Sequence, residues 1–252
     1  MEPLIVKPGQ IDLNCDTGEG IGNEAALLPL VSSCNIACGG HAGDLESMGQ
    51  VVALAVRHGV KIGAHPSYPD REHFGRRSLE LPVEALRQSL REQVAALEAV
   101  LEAQGEALHH IKAHGALYND LAANPRLAQS YLETFASYRD RVRLFAPCGS
   151  QFASLARDRG FEVWEEAFAD RAYRADGSLA SRQMAGAVLT EPGQVWQQLR
   201  KMVRRNLADT LDGVEIPIRA QTYCLHGDTP RAYEILMYLS RKLREESIAL
   251  AK

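Results

Sequence analysis

The sequence has no run of about 18 apolar residues, the length a helix needs to cross a bilayer, so no segment reads as a membrane span. No basic start followed by an apolar core stands at its beginning, so a secretory signal is not expected. Its five cysteines are an odd number, and Cys34 and Cys38, four apart, have no second pair at zinc-site spacing. They read as reduced thiols, and the chain as a cytoplasmic protein. There is no GxxxxGK(S/T) loop to cradle the phosphates of a nucleotide, and no HExxH pair to hold a metal. Nor is there a stripe of lysine and arginine. With a net charge of −4, nothing points to a nucleic-acid partner. Arg200, Lys201, Arg204 and Arg205 fall within one helical pattern and read as a solvated face. No linker or low-complexity stretch interrupts the chain, so residues 1–252 are expected to form one domain.

What the chain does have is ample apolar content, 46% over 252 residues, enough to bury a sizeable core. Short apolar or alternating runs recur at 10–14, 34–38, 61–65, 110–114, 143–147, 162–167 and 220–226, which predicts about seven strands. Between them stand helical patterns: Leu45, Met48, Val52 and Ala55; Val83, Leu86, Leu90, Val94, Leu97 and Leu101; Val195, Leu199, Met202 and Val203; Ala232, Ile235, Leu239 and Leu243. Thr229 followed by Pro230 predicts a helix start. Alternating strands and helices argue for an α/β fold with a parallel sheet, either a closed β/α barrel or an open doubly wound sheet, and the number of units favours the barrel.

In such a barrel the chemistry sits at the carboxyl ends of the strands. The first end carries Asp12, Asn14, Asp16 and Glu19; the second, His41 and Asp44; the third, His65 and Asp70. The fourth carries Lys112, His114 and Tyr118, the sixth Glu166, Asp170 and Arg171, and the last His226 and Asp228. Strand parity puts Asp12 and Asn14 on one face and Ile11 and Leu13 on the other, and Lys112 and His114 opposite Ile111 and Ala113. Taken singly, each has an ordinary explanation: Asp16 and Asp228 as helix caps, Arg76 and Arg77 as a surface pair, any one histidine as a structural group. Taken together they are harder to explain as packing, because grouping acids and imidazoles at six strand ends is costly unless a ligand or network satisfies them.

These residues lie in motifs by which the sequence resembles the LamB/YcsF family, the A subunits of bacterial 5-oxoprolinase. They are DLNCDTGEG (12–20), NIACGGHAGD (35–44), IGAHPSYPD (62–70), FGRR (74–77), IKAHGALYN (111–119), FADRAYRADGSLASR (168–182) and CLHGD (224–228). Ala113 stands where the family usually has proline, and the segment after GEG is short. The resemblance implies an irregular barrel related to glycoside hydrolase and deacetylase barrels. It implies a subunit that works with B and C partners, opening 5-oxoproline to L-glutamate at the expense of ATP, with Mg2+ accompanying the nucleotide.

Opening a resonance-stabilised lactam needs an activated carbonyl, an attacking water, a base for its proton and donors for the developing charge. On that reading Asp12 or His114 serves as base, with His65 and Lys112 in the catalytic group. Lys112 and Arg171 hold phosphate or carboxylate oxygens. Asn14, Asp16, Glu19, His41, Asp44, His226 and Asp228 line the substrate site, and Asp170 orients Arg171 or an imidazole. Without a phosphate-cradling loop, ATP is expected mainly on a partner subunit. A second reading is a metal-dependent deacetylase in which Asp12 or Asp16 joins His65 and His114 on zinc. A third is a non-catalytic subunit that only activates its partners.

Overall fold

In the computed structural model, which describes residues 9–252, the alternating segments resolve into strands β1 (Gln10–Thr17), β2 (Ser33–Ala37), β3 (Lys61–His65), β4 (His110–Lys112), β5 (Arg143–Pro147), β6 (Glu162–Phe168), β7 (Leu207–Asp209), β8 (Glu215–Pro217), β9 (Thr222–Cys224) and β10 (Ala249–Leu250). The helices are α1 (Glu24–Leu27), α2 (Leu45–Arg57), α3 (Val83–Ala103), α4 (Gly115–Ala123), α5 (Pro125–Thr134), α6 (Gln151–Asp158), α7 (Pro192–Arg205) and α8 (Ala232–Glu245). From β1 to β6 each strand runs parallel to the next; β6 then pairs with β9, and β9 pairs back with β1. Seven parallel strands therefore close into a barrel, and the open-sheet alternative is excluded. Each expected strand has its counterpart in that ring. Three strands were not foreseen, β10, which pairs with the first residues of β1, and the antiparallel pair β7–β8 outside the ring; nor were the helices α1, α4, α5 and α6.

The apolar core lies between the barrel wall and the helices. On β1, Ile11, Leu13 and Cys15 turn outward to meet it, each at most 4% exposed. On α3, Leu86, Leu90, Val94, Leu97 and Leu101 form the buried stripe that the spacing predicts. The stripes begin one turn later than the periodicity suggests: Leu45 and Val83, at the first positions of α2 and α3, are 66% and 61% exposed. The helix start at Thr229 is also corrected. The helix opens at Ala232 behind Arg231, and the Thr229 hydroxyl instead donates to the buried Asp170 carboxylate at 2.6 Å. A buried anion is a stronger acceptor than a cap position is a claimant. Among the described residues no helix is long and apolar enough to cross a membrane. The basic face of α7 is solvated: Arg200 and Arg204 pair with Glu246, and Lys201 and Arg205 with Glu215. All five cysteines are free.

Inside, the barrel is filled by polar groups rather than by the branched aliphatics that usually fill such an interior. Asp12, Asn14, Asp16, Ser33, Asn35, His65, His110, Lys112, Glu166 and Thr222 are all buried. Room for these long side chains is made opposite small ones. A Cβ at Gly63 on β3 would fall 2.1 Å from His110 Nε2. Gly63→Ala should therefore displace the His110 ring and lower stability by about 1–3 kcal/mol, the range for overpacking. Urea denaturation at pH 7 reads the change, and an unaltered midpoint would show that the imidazole is not wedged against this glycine.

Candidate active site

Successive residues of β1 climb the strand at about 3.3 Å each, so its inward ones define levels from floor to mouth. Asp12 is in the floor. Its carboxylate accepts from Ser33 Oγ and Thr222 Oγ1, both at 2.7 Å, and from Lys61 Nζ at 3.2 Å. Burial pushes its pKa up, against the Lys61 ammonium and the two hydroxyls. Lying four residues before Asp16, it sits about 13 Å lower along the strand. This corrects the assignment of Asp12 as base: it holds the barrel floor and does not reach the mouth.

One level up, Asn14 Nδ2 donates to Glu166 Oε1 at 2.8 Å and to Thr222 Oγ1 at 2.7 Å. Asn35 Nδ2 donates to Asn14 Oδ1 at 2.8 Å and to Asp16 Oδ1 at 2.7 Å, while His110 Nε2 donates to Asn35 Oδ1 at 2.7 Å. Lys112 crosses this level. Its Nζ lies 2.9 Å from Glu166 Oε1, 3.0 Å from Asp16 Oδ1, 3.2 Å from Cys224 Sγ and 3.3 Å from Asn14 Oδ1. Burial works against the charge, yet the Asp16 and Glu166 carboxylates hold this pKa well above the ordinary lysine value. An ammonium has three protons, and four acceptors already surround it. Lys112 is thus corrected from an anion holder at the mouth to a buried counter-ion. Burial likewise opposes the charge of Asp16, but His65 and Lys112 outweigh it and keep that carboxyl well below the usual range.

At the mouth Glu19, His41, His65 and His114 converge, all buried. Glu19 Oε1 lies 3.1 Å from His41 Nε2 and 3.4 Å from His114 Nδ1; His114 Nδ1 lies 3.0 Å from His65 Nε2; His65 Nε2 lies 3.4 Å from Asp16 Oδ2. The His41 and His114 rings stack at 3.6 Å, with the edge of Phe74 against both. Phe74 has φ +55°, a conformation a bulky residue adopts only under constraint, and its carbonyl accepts from His114 Nε2 at 3.0 Å. The FGRR segment thereby folds over the cluster. Burial, then the neighbouring imidazoles, depress the pKa of His114; burial and His65 do the same for His41. Burial and the charges of Asp16 and Asp228 push Glu19 well above the usual carboxyl range.

On the far side of the mouth Asp170 accepts from His226 Nδ1 and the His226 amide, both at 3.0 Å. Burial opposes its charge, but His226 and Thr229 bring its pKa down. Asp228 binds Arg76, and Arg182 at 3.4 Å, so three loops meet over the opening. Two expected site residues lie elsewhere. Asp44 is exposed and caps α2, exchanging hydrogen bonds with Ser47, because an extended residue at that turn has free helical amides to satisfy. Arg171 is buried and donates to the carbonyls of Ala180 and Ala187, pinning the loop after β6 rather than facing a ligand. Residues that were not assigned include Asn35, His110, Glu166 and Arg182. The first three were open to the parity argument, since Asn35 stands between outward-facing Cys34 and Ile36 just as Lys112 stands beside Ile111. Arg182 offered no such signal.

Against known proteins, the chain matches the model of the LamB/YcsF family over residues 11–252. It is similar to the lactam utilization protein of Thermus thermophilus, with 36% identity and a TM-score of 0.89, covering 96% of this chain and 98% of that one. A cellobiose-phosphate cleavage protein candidate of Enterococcus faecalis shares the fold at 14% identity and a TM-score of 0.57, covering 96% and 97%.

The interior network makes two outcomes measurable. Lys112→Met leaves Asp16 and Glu166 buried without their cation and should cost about 3–5 kcal/mol of stability, part of which Glu166→Gln in the same chain restores. Equal stability of Lys112→Met and wild type in urea would contradict this. Burial lowers His110 well below the ordinary imidazole pKa and His109 to about 3. In the unfolded chain both take up protons near pH 6.5, so their stabilising effect is complete above that pH and is lost as pH falls toward 3. Stability should therefore begin to fall below pH 6.5, with about 1.4 kcal/mol per pH unit from each ring. Urea midpoints from pH 7 to 5 read the slope, which His109→Gln should reduce by one proton.

Proposed function

Because the chain belongs to the LamB/YcsF family, we propose that it is the A subunit of a 5-oxoprolinase. With B and C partner subunits it opens 5-oxoproline to L-glutamate, coupled to hydrolysis of Mg-ATP. The observation that carries this reading is the convergence of Glu19, His41, His65 and His114 at the carboxyl mouth of the barrel, beside an ionised Asp16. The lactam named for the Thermus relative supports the substrate class.

Phosphorylation of the lactam oxygen makes its carbon electrophilic. A first water adds there, and the carbon–nitrogen bond breaks as the ring nitrogen takes up a proton, leaving an acyl phosphate. A second water removes the phosphate, so one ATP and two waters become ADP, phosphate and the opened amino acid. The histidine–glutamate cluster accepts the proton of the attacking water. His114 belongs to that cluster, with its Nε2–H held by the Phe74 carbonyl and its Nδ1 turned toward the other three side chains. Asp170 orients His226 toward the substrate from the opposite side. The chain's lack of a phosphate-cradling loop fits ATP on a partner subunit.

Reconstitution tests this. The complete assembly should release glutamate and ADP in step, and this chain alone should release neither. His114→Ala should lower turnover by about 10²–10⁴-fold while keeping the wild-type circular dichroism. Turnover by the partners without this chain, or near wild-type turnover by His114→Ala, would remove the chain from the chemistry and leave it an activating subunit.

A further inference from the structure

The hydrogen bonds around the mouth fix more than orientation. A carbonyl oxygen carries no proton, so the ring nitrogen that meets it must. His65 Nδ1 meets the Lys112 carbonyl at 2.8 Å, and His114 Nε2 meets the Phe74 carbonyl at 3.0 Å. In the neutral rings the protons are thus on the outer nitrogens, and the inner ones, His65 Nε2 and His114 Nδ1, present lone pairs to each other at 3.0 Å. Two carboxyl oxygens press on the same place: Asp16 Oδ2 is 3.4 Å from His65 Nε2, and Glu19 Oε1 is 3.4 Å from His114 Nδ1. His41 adds its Nε2 at 3.1 Å from Glu19 Oε1, and among the described residues its buried Nδ1 has no partner to settle its tautomer. A proton on His65 Nε2 would relieve its contacts with His114 and Asp16, and one on Glu19 a contact with His41 or His114. A cation at the centre satisfies every donor together.

The spacing is that of a metal centre. Four ligands about 2.0–2.1 Å from a tetrahedral ion stand about 3.4 Å apart along the edges. Here the short approaches are 3.0, 3.1 and 3.4 Å, and all four donor atoms lie within 4.8 Å of one another. The outer nitrogens of His65 and His114 are held by backbone carbonyls, the arrangement that orients metal-bound imidazoles. A neighbouring group, Asp16 with Cys224 and His226, is also clustered, but there the Lys112 ammonium already lies 3.0 Å from Asp16 and 3.2 Å from Cys224. That group has its cation in a side chain; among the described residues the histidine cluster has none in contact. We propose that Glu19, His41, His65 and His114 bind one divalent transition-metal ion, with zinc the species their three imidazoles and one carboxylate suit best. An ion held by all four side chains would take the attacking water as a fifth ligand and lower its pKa, which is the catalytic role it would supply. That catalytic role rests on the reading of the preceding section, whereas the binding site does not.

The test needs neither substrate nor partner. The full chain is stripped with a chelator, reloaded with Zn2+ or Co2+, desalted and assayed for metal. The expected result is close to one ion per chain, a higher melting temperature with Zn2+ than without, and the visible absorption bands of tetrahedral cobalt. His65→Gln and His41→Gln should lose the ion and the bands, while His226→Gln, outside the cluster, keeps both. Sub-stoichiometric metal with an unchanged melting temperature in the wild-type chain overturns the proposal, whatever the variants do. So does full cobalt binding by the His65→Gln, His114→Gln double variant. In the reconstituted assembly, a chain that binds zinc but turns over no lactam sinks the substrate reading alone; turnover indifferent to the ion sinks only its catalytic role.

Discussion

The structure depends on one buried cation. Lys112 crosses the middle of the barrel, and its ammonium lies between the Asp16 and Glu166 carboxylates, away from water. An isolated carboxylate in that setting would be protonated or would exclude the fold, because the desolvation penalty of each ion is several kcal/mol. With Lys112 in place the two acids become fixed acceptors, and Asn14 and Asn35 are oriented by them rather than free to flip. The mouth inherits this order, since His65 is positioned between Asp16 and the Lys112 carbonyl.

The barrel wall explains how such an interior is tolerated. Its apolar contacts are made outward, toward α2, α3, α7 and α8, where the buried stripes lie. The inside is therefore released from the task of forming the main hydrophobic core. Floor, middle and mouth are joined by hydrogen bonds to shared partners: Thr222 bonds both Asp12 and Asn14, and Asn35 bonds Asn14, Asp16 and His110. Such linkage gives the mouth a rigid base. Across the loops above, Arg76 and Arg182 both bind Asp228.

Much of this was legible in the amino-acid order. Period-two alternation placed Asp12, Asn14, Lys112 and His114 on the inward face, and the strand–helix alternation gave the ring of strands. What could not be read was depth. Asp12 and Asp16 have the same parity, so periodicity alone cannot say that one is in the floor and the other near the mouth. Nor does a strand-end position separate a ligand-facing group from a cap: Asp44 follows the same motif as His41 but turns outward to the amides of α2. Arg171 shows a third limit, because its partners are carbonyls of a loop nine and sixteen residues further on, and no local pattern announces them. The hairpin β7–β8 is built of strands of three residues each, too short for alternation to register.

The shared interior has a consequence for how this chain can change over time. Because Lys112, Asp16, Glu166 and Asn14 each satisfy one another, no single exchange among them is neutral, and a replacement of the cation is tolerated only alongside a replacement of an acid. Drift inside the barrel should therefore proceed by correlated sets, in which charge is removed in pairs. The outward face, where one aliphatic can stand for another of similar volume, is free to vary position by position.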